Sequence, residues 1–193
     1  VDLYTGPRRS YIEEALGRRA RVISLVEGVL FQYGVPKELA YIAFIESRFN
    51  PNARCKDGST IGLWQLSRAT ARNYGLRVDK GRDERLDVKK STEAAARFLA
   101  SLYDTFGDWY LAAAAYNAGP YRVEKALDQV GESIDVHRLD FFALTSQGIL
   151  SEITREFVAK LGALVIIGDD FSQYGFTLPE PLPVSESSVK VKK

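Results

Sequence analysis

A mainly α-helical single domain, interrupted by one long polar insertion, is the architecture this sequence predicts. Three observations carry that expectation. Apolar residues recur at helical spacing through most of the chain. The periodic runs open on helix-capping residues or proline and close on glycines. The one long break in the pattern, "NPNARCKDGSTIGLWQLS" from Asn50 to Ser67, is rich in polar and turn residues. At 193 residues, 46% hydrophobic and 26% charged, the chain can bury one sizeable core.

The elements follow in order. Residues 1–9 read as an extended lead-in. Ser10 followed by Glu13 is a capping-box pair. Behind it Ile12, Leu16, Ile23, Val26 and Leu30 keep helical spacing to Gly34, a fitting C′ stop. Pro36 suits the first turn of a helix carrying Leu39, Ile42, Ala43 and Glu46. Asp57-Gly58 marks a turn, and a small β-hairpin is expected near residues 52–64. Ser67 caps a short helix to Tyr74, which Gly75 ends, and a polar loop runs on through Arg85. Asp87 caps a long helix to Phe106, and Gly107 follows it. Asp108 caps "WYLAAAAYNA", which closes at Gly119, and Pro120 opens a helix to about Val130. A connecting stretch, 131–148, leads into a last helix from about Leu150 to Ile167. The expected division is an N-terminal extension and helix over 1–33, a principal domain over 34–178 and a Pro-, Ser- and Lys-rich linker or tail over 179–193.

Composition removes several function classes. A net charge of +1 predicts no broad electrostatic footprint, and so no nucleic-acid partner. One cysteine, Cys55, permits no intrachain disulfide. One histidine, His137, cannot assemble a zinc site of several His and Cys ligands, so neither a metal nor an organic cofactor is expected. A Ser-His-Asp triad would have to run through His137, with no G-x-S-x-G elbow anywhere; the residue reads as loop or surface. The apolar run "LGALVIIG" (161–168) is too short to span a bilayer and reads as the buried end of a helix. Any membrane association would come through parts outside this chain.

In "YIAFIESRFNP" (41–51) a glutamate stands where a core residue is expected. Positions 39, 42/43 and 46 share one helical stripe, so Glu46 lies in line with Leu39, Ile42 and Ala43. Burying an unpaired carboxylate is costly, and the C-terminal end of a helix adds partial negative charge. Both raise the pKa, and a carboxyl that keeps its proton near neutral pH can act as a general acid. The alternative is a Glu paired with Arg48 or another base.

Three blocks follow in order: Glu46-Ser47 with "FNP", "GLWQ" (Gly62, Leu63, Trp64, Gln65) and "AYNAG" (Ala115 to Gly119). Together they resemble the glutamate-serine, G-L-M-Q and A-Y-N-A-G blocks of the transglycosylase SLT domain, over about residues 34–168. "RATARNYGL", "RLDVKKSTEAAARFL" and "FGDWYLAAAAYNAGPYRVEKA" are most similar to the membrane-bound lytic murein transglycosylase D subfamily. The resemblance implies a lysozyme-like fold with a groove for a glycan. It implies cleavage of the β-1,4 bond between N-acetylmuramic acid and N-acetylglucosamine in peptidoglycan glycan strands, leaving a 1,6-anhydromuramoyl end. It also implies a periplasmic or cell-envelope location.

By that resemblance Glu46 is acid and then base, while the substrate's own N-acetyl oxygen attacks the anomeric carbon. No second carboxylate offers itself in these blocks; Asp57, Asp79 and Asp83 lie in polar loops and read as solvated. Ser47 would hydrogen-bond near the scissile region, orient Glu46 or cap its helix. Gly62 would let the backbone approach the groove, and Leu63 belongs to the same substrate-binding block. Trp64, in place of the family methionine, would stack on a sugar or fill core space. Gln65 would bond sugar substituents, and Tyr116 and Asn117 would point into the groove. One departure stands out. "TREFVAK" puts Phe157 where the subfamily carries a tyrosine whose hydroxyl lies near the catalytic glutamate. A goose-type lysozyme-like hydrolase and a catalytically weakened glycan-binding domain are the other readings.

Overall fold

The structure, a computed structural model, describes residues 1–131 and 140–180. His137 and residues 181–193, read from the sequence as a loop residue and the end of a tail, lie outside the described residues. Among the described residues there are nine α-helices and one two-stranded sheet. They are α1 (Asp2–Thr5), α2 (Arg9–Gln32), α3 (Tyr41–Ser47), β1 (Thr60–Ile61), β2 (Leu66–Ser67), α4 (Arg68–Asn73), α5 (Val88–Phe106), α6 (Trp109–Ala118), α7 (Pro120–Gly131), α8 (Phe141–Ser146) and α9 (Glu152–Asp169).

Caps set the starts of the central helices. Asp87 accepts from the Lys90 amide, Asp108 from Leu111 at 2.7 Å and Ser67 from Thr70 at 3.0 Å, each stabilising its helix by about 1 kcal/mol. α5 packs against α2 and α6, α6 also against α7 and α9, and α9 against α3. The alanines of α6 make this possible: Ala112 to Ala115 are wholly buried, and their small size lets α5 and α9 come close. One contiguous core runs from Tyr4 to Phe176 and includes the apolar stripe of α2, so the first helix shares the core of everything after it.

The beginning of the chain departs from expectation. Residues 2–5 form a short helix, and α2 starts at Arg9 with no side-chain cap, so the Ser10–Glu13 box is not built. A distant contact decides the start. Arg9 donates to the Gly175 carbonyl at 2.6 Å, pairs with Glu13 and lies 4.6 Å from the Phe176 ring centre, tying the C-terminal loop to α2.

The expected hairpin exists but is shifted. Thr60 pairs with Ser67 and Ile61 with Leu66, with an added bridge from Arg54 to Ile61. The "GLWQ" block is therefore the turn of the hairpin. The polar loop after α4 is more ordered than its composition suggests. Val78 bridges to Asp83, and Arg85 is buried, 2% exposed.

Candidate active site

α3 is only seven residues long and ends abruptly. Arg48 (φ 55°) and Phe49 (φ 56°) are consecutive left-handed residues, and the Phe49 amide reaches back to the Ala43 carbonyl at 3.2 Å. Two non-glycine residues in this region are strained. The buried Phe49 ring, edge-on to Phe44, holds the turn in place. The turn carries Arg48 away to α2, where it meets Glu14 at 3.1 Å and lies 4.4 Å from the Tyr11 ring centre. The alternative pairing of Glu46 with Arg48 is thus excluded.

Glu46 is half-buried in the last turn of α3, and among the described residues no basic side chain lies within ion-pair distance of it. Burial pushes its carboxyl up to about 7. The loop acids move the other way. Asp57 is held down at about 2, first by the Cys55 thiol, while the Arg77 and Arg85 guanidiniums hold Asp79 and Asp83 below the usual range. Asp83 is not simply solvated, as its loop position suggested; it forms an ion pair with buried Arg85 at 2.8 Å.

The hairpin turn joins α3 to α6. Ser47 Oγ donates its one proton to the Leu63 carbonyl at 2.7 Å, with the Ala43 carbonyl as the alternative acceptor at 3.0 Å, and accepts from the Asn50 amide. Tyr116 Oη donates to the Trp64 carbonyl at 2.7 Å. Burial, and then the charge of Glu46, push the Tyr116 phenol well above its ordinary value, so the two side chains are within electrostatic reach. Adjacent carbonyls of one turn therefore anchor the residue beside Glu46 and a tyrosine within its electrostatic reach. Asn117 follows Tyr116 on the last full turn of α6, half-buried.

The side chains of this turn are largely engaged by the protein itself. Leu63 and Trp64 are fully buried, so neither side chain offers a face to a sugar. Trp64 fills the core, and its indole donates to Thr92 Oγ1 at 2.9 Å. Gly62 (φ 86°) is required by a close approach to the Arg85 main chain: a Cβ there would lie 2.0 Å from the Arg85 carbonyl oxygen. Gln65 turns its amide inward, donating to Gly62 and Ala53 carbonyls and accepting from Thr60 Oγ1. Phe157 is buried in α9. Thr92, the Trp64 partner, was invisible in the sequence, because nothing local marks a helix hydroxyl 28 residues away. Among the described residues no group of His, Cys, Asp and Glu could hold a metal.

The family model for the transglycosylase SLT domain matches residues 30–138. Membrane-bound lytic murein transglycosylase D of Escherichia coli (strain K12) is 34% identical over 172 residues, covering 89% of this chain and 36% of that protein. The chain thus spans about a third of the length of the curated relative. The 70 kDa soluble lytic transglycosylase of Escherichia coli superposes with a TM-score of 0.60 at 25% identity, over 75% of this chain and 24% of that one. Lytic transglycosylase Slt of Pseudomonas aeruginosa gives 0.61 at 24% identity, over 82% and 25%. The mainly α, lysozyme-like fold expected from the motifs is the fold found.

Proposed function

Because the chain belongs to the transglycosylase SLT domain family, we propose that it is a peptidoglycan lytic transglycosylase whose single catalytic carboxyl is Glu46. The observation that carries the proposal is a half-buried, unpaired carboxyl in the last turn of α3, pushed up to about 7 by burial and within electrostatic reach of Tyr116. Cleaving a glycosidic bond requires a proton on the leaving oxygen, and a carboxyl of that pKa carries one for a large share of the time near neutrality. Having given it up, Glu46 becomes the base that accepts the proton of the muramoyl 6-hydroxyl. The substrate's N-acetyl oxygen holds the anomeric carbon in between and is displaced as the 1,6-anhydro ring closes. The proton count balances: one leaves Glu46 to the departing sugar and one returns from the 6-hydroxyl. No carboxylate partner is needed, in keeping with loop acids engaged elsewhere.

In this reading the substrate is the β-1,4 bond between N-acetylmuramic acid and N-acetylglucosamine, and the working location is the periplasm or cell envelope. Among the described residues no helix is long and apolar enough to cross a membrane. The boundaries 34–178 for the catalytic unit and 179–193 for a linker are part of the same proposal. Asn117 and the outer edge of the hairpin are the proposed glycan contacts. Phe157 favours a second, weaker reading of reduced activity, since its ring supplies no hydroxyl. Digestion of purified sacculi by wild type and Glu46→Gln tests the proposal. Wild type should release soluble muropeptides, and the variant about 10²–10⁴-fold fewer per unit time. Equal release by both would remove Glu46 from the chemistry.

A further inference from the structure

Arg85 has the geometry of a brace across the hairpin. Its Nη1 donates to the Ser59 carbonyl at 3.1 Å and to the Leu66 carbonyl at 3.0 Å, one on each side of the "GLWQ" turn. Its Nε and Nη2 are fixed by both oxygens of Asp83, at 2.9 and 2.8 Å. Its own backbone carbonyl lies against the Cα of Gly62, where no side chain would fit. Side chain and main chain of one residue therefore clasp the turn at three places. What the turn presents on its other side is the Leu63 carbonyl to Ser47 and the Trp64 carbonyl to Tyr116.

A buried arginine is expensive to desolvate, and a loop this polar has no need of one for packing alone. A planar fork that spans two carbonyls and a carboxylate is a geometry lysine cannot reproduce. We propose that Arg85 is a positioning residue: held by Asp83, it fixes the turn whose Leu63 and Trp64 carbonyls set Ser47 and Tyr116 around Glu46. It touches no substrate and acts only through the turn. The inference rests on the transglycosylase reading for its kinetic consequence, though not for its structural one.

Arg85→Lys keeps the charge and loses the fork, and Asp83→Asn keeps Arg85 and loosens its orientation. Both are compared with wild type and with Leu16→Ala, a core change on α2. Two readouts are taken: kcat and KM on sacculi per folded molecule, and the Glu46 carboxyl midpoint by carbon-13 NMR. Arg85→Lys should lower kcat by ~10²-fold with KM within about threefold, because misplacement of reacting groups acts on turnover more than on binding. The Glu46 midpoint should fall toward the ordinary carboxylate value as water reaches it, with Asp83→Asn between Arg85→Lys and wild type. Leu16→Ala should lose thermal stability and keep both readouts. An unmoved midpoint with unchanged kcat in the two turn variants overturns the proposal, as does an equal shift in Leu16→Ala. If Arg85→Lys does not fold, Asp83→Asn decides by the same readouts. If wild type releases nothing from sacculi, the transglycosylase reading fails by itself and the NMR midpoint still decides the role of Arg85.

Discussion

Glu46 titrates at about 7 in the folded chain, against 4.5 for a free glutamate. The folded state therefore binds the proton more tightly, so stability is fully present below about pH 4.5 and is lost as pH rises through 7. The whole difference is about 3 kcal/mol. Glutamine keeps the shape and does not titrate. Thermal melts of Glu46→Gln and wild type should nearly coincide at pH 4, and the variant should melt several degrees higher at pH 8. A gap of the same size at both pH values would show that the carboxyl is not displaced upward. Turnover follows the same group with its own sign. The first step needs the protonated acid, so kcat should decline as pH rises through about 7. A rate that stays level to pH 9 would rule out Glu46 as the acid. Its place was legible from the helical spacing of Ile42, Ala43 and Glu46, although Leu39, expected on the same helix, lies in a 3-10 turn over Lys37–Ala40 before α3; its freedom from Arg48 was not, because that depends on a left-handed turn that throws Arg48 onto α2.

At the scale of elements, the hairpin turn is the part of the site that most depends on its neighbours. Trp64 hangs on Thr92, and that bond crosses from the turn to α5. Thr92→Val leaves the indole N–H buried without a partner, which costs about 1–3 kcal/mol. Urea titration should show that loss, and a change below about 0.5 kcal/mol would mean the indole finds another acceptor. Helix starts that rest on local chemistry were readable in advance. Asp87, Asp108 and Ser67 each cap the helix that their sequence position announces. Ser10 failed because Arg9 is recruited by a loop 166 residues later. The insertion misled in the same way. Which of its two readings Trp64 takes, and the inward turn of Gln65 and Arg85, are set by partners that no local pattern reveals.

Across the whole molecule, Glu46 and Tyr116 stand on helices that share one core with α5 and α9, so stability and site geometry have the same foundation. Leu99 on α5 is fully buried within it. Leu99→Ala should lower unfolding free energy by about 2–5 kcal/mol by leaving a cavity. The pH at which turnover declines should stay put, since the substitution removes no charge and no hydrogen bond; a shifted midpoint would mean that the core tunes the carboxyl directly. The fold class and the order of the three motif blocks were readable from end to end. Which faces of those blocks point inward was not, because burial is decided by packing between segments far apart in the chain.

The most direct test of Glu46 as acid and then base is the mass of the muropeptides that the wild-type chain releases from purified sacculi. Return of the proton from the 6-hydroxyl predicts 1,6-anhydromuramoyl ends, lighter by one water than a hydrolysed product. Reducing muramoyl ends would contradict it, and would mean that water, not the sugar's own hydroxyl, completes the reaction.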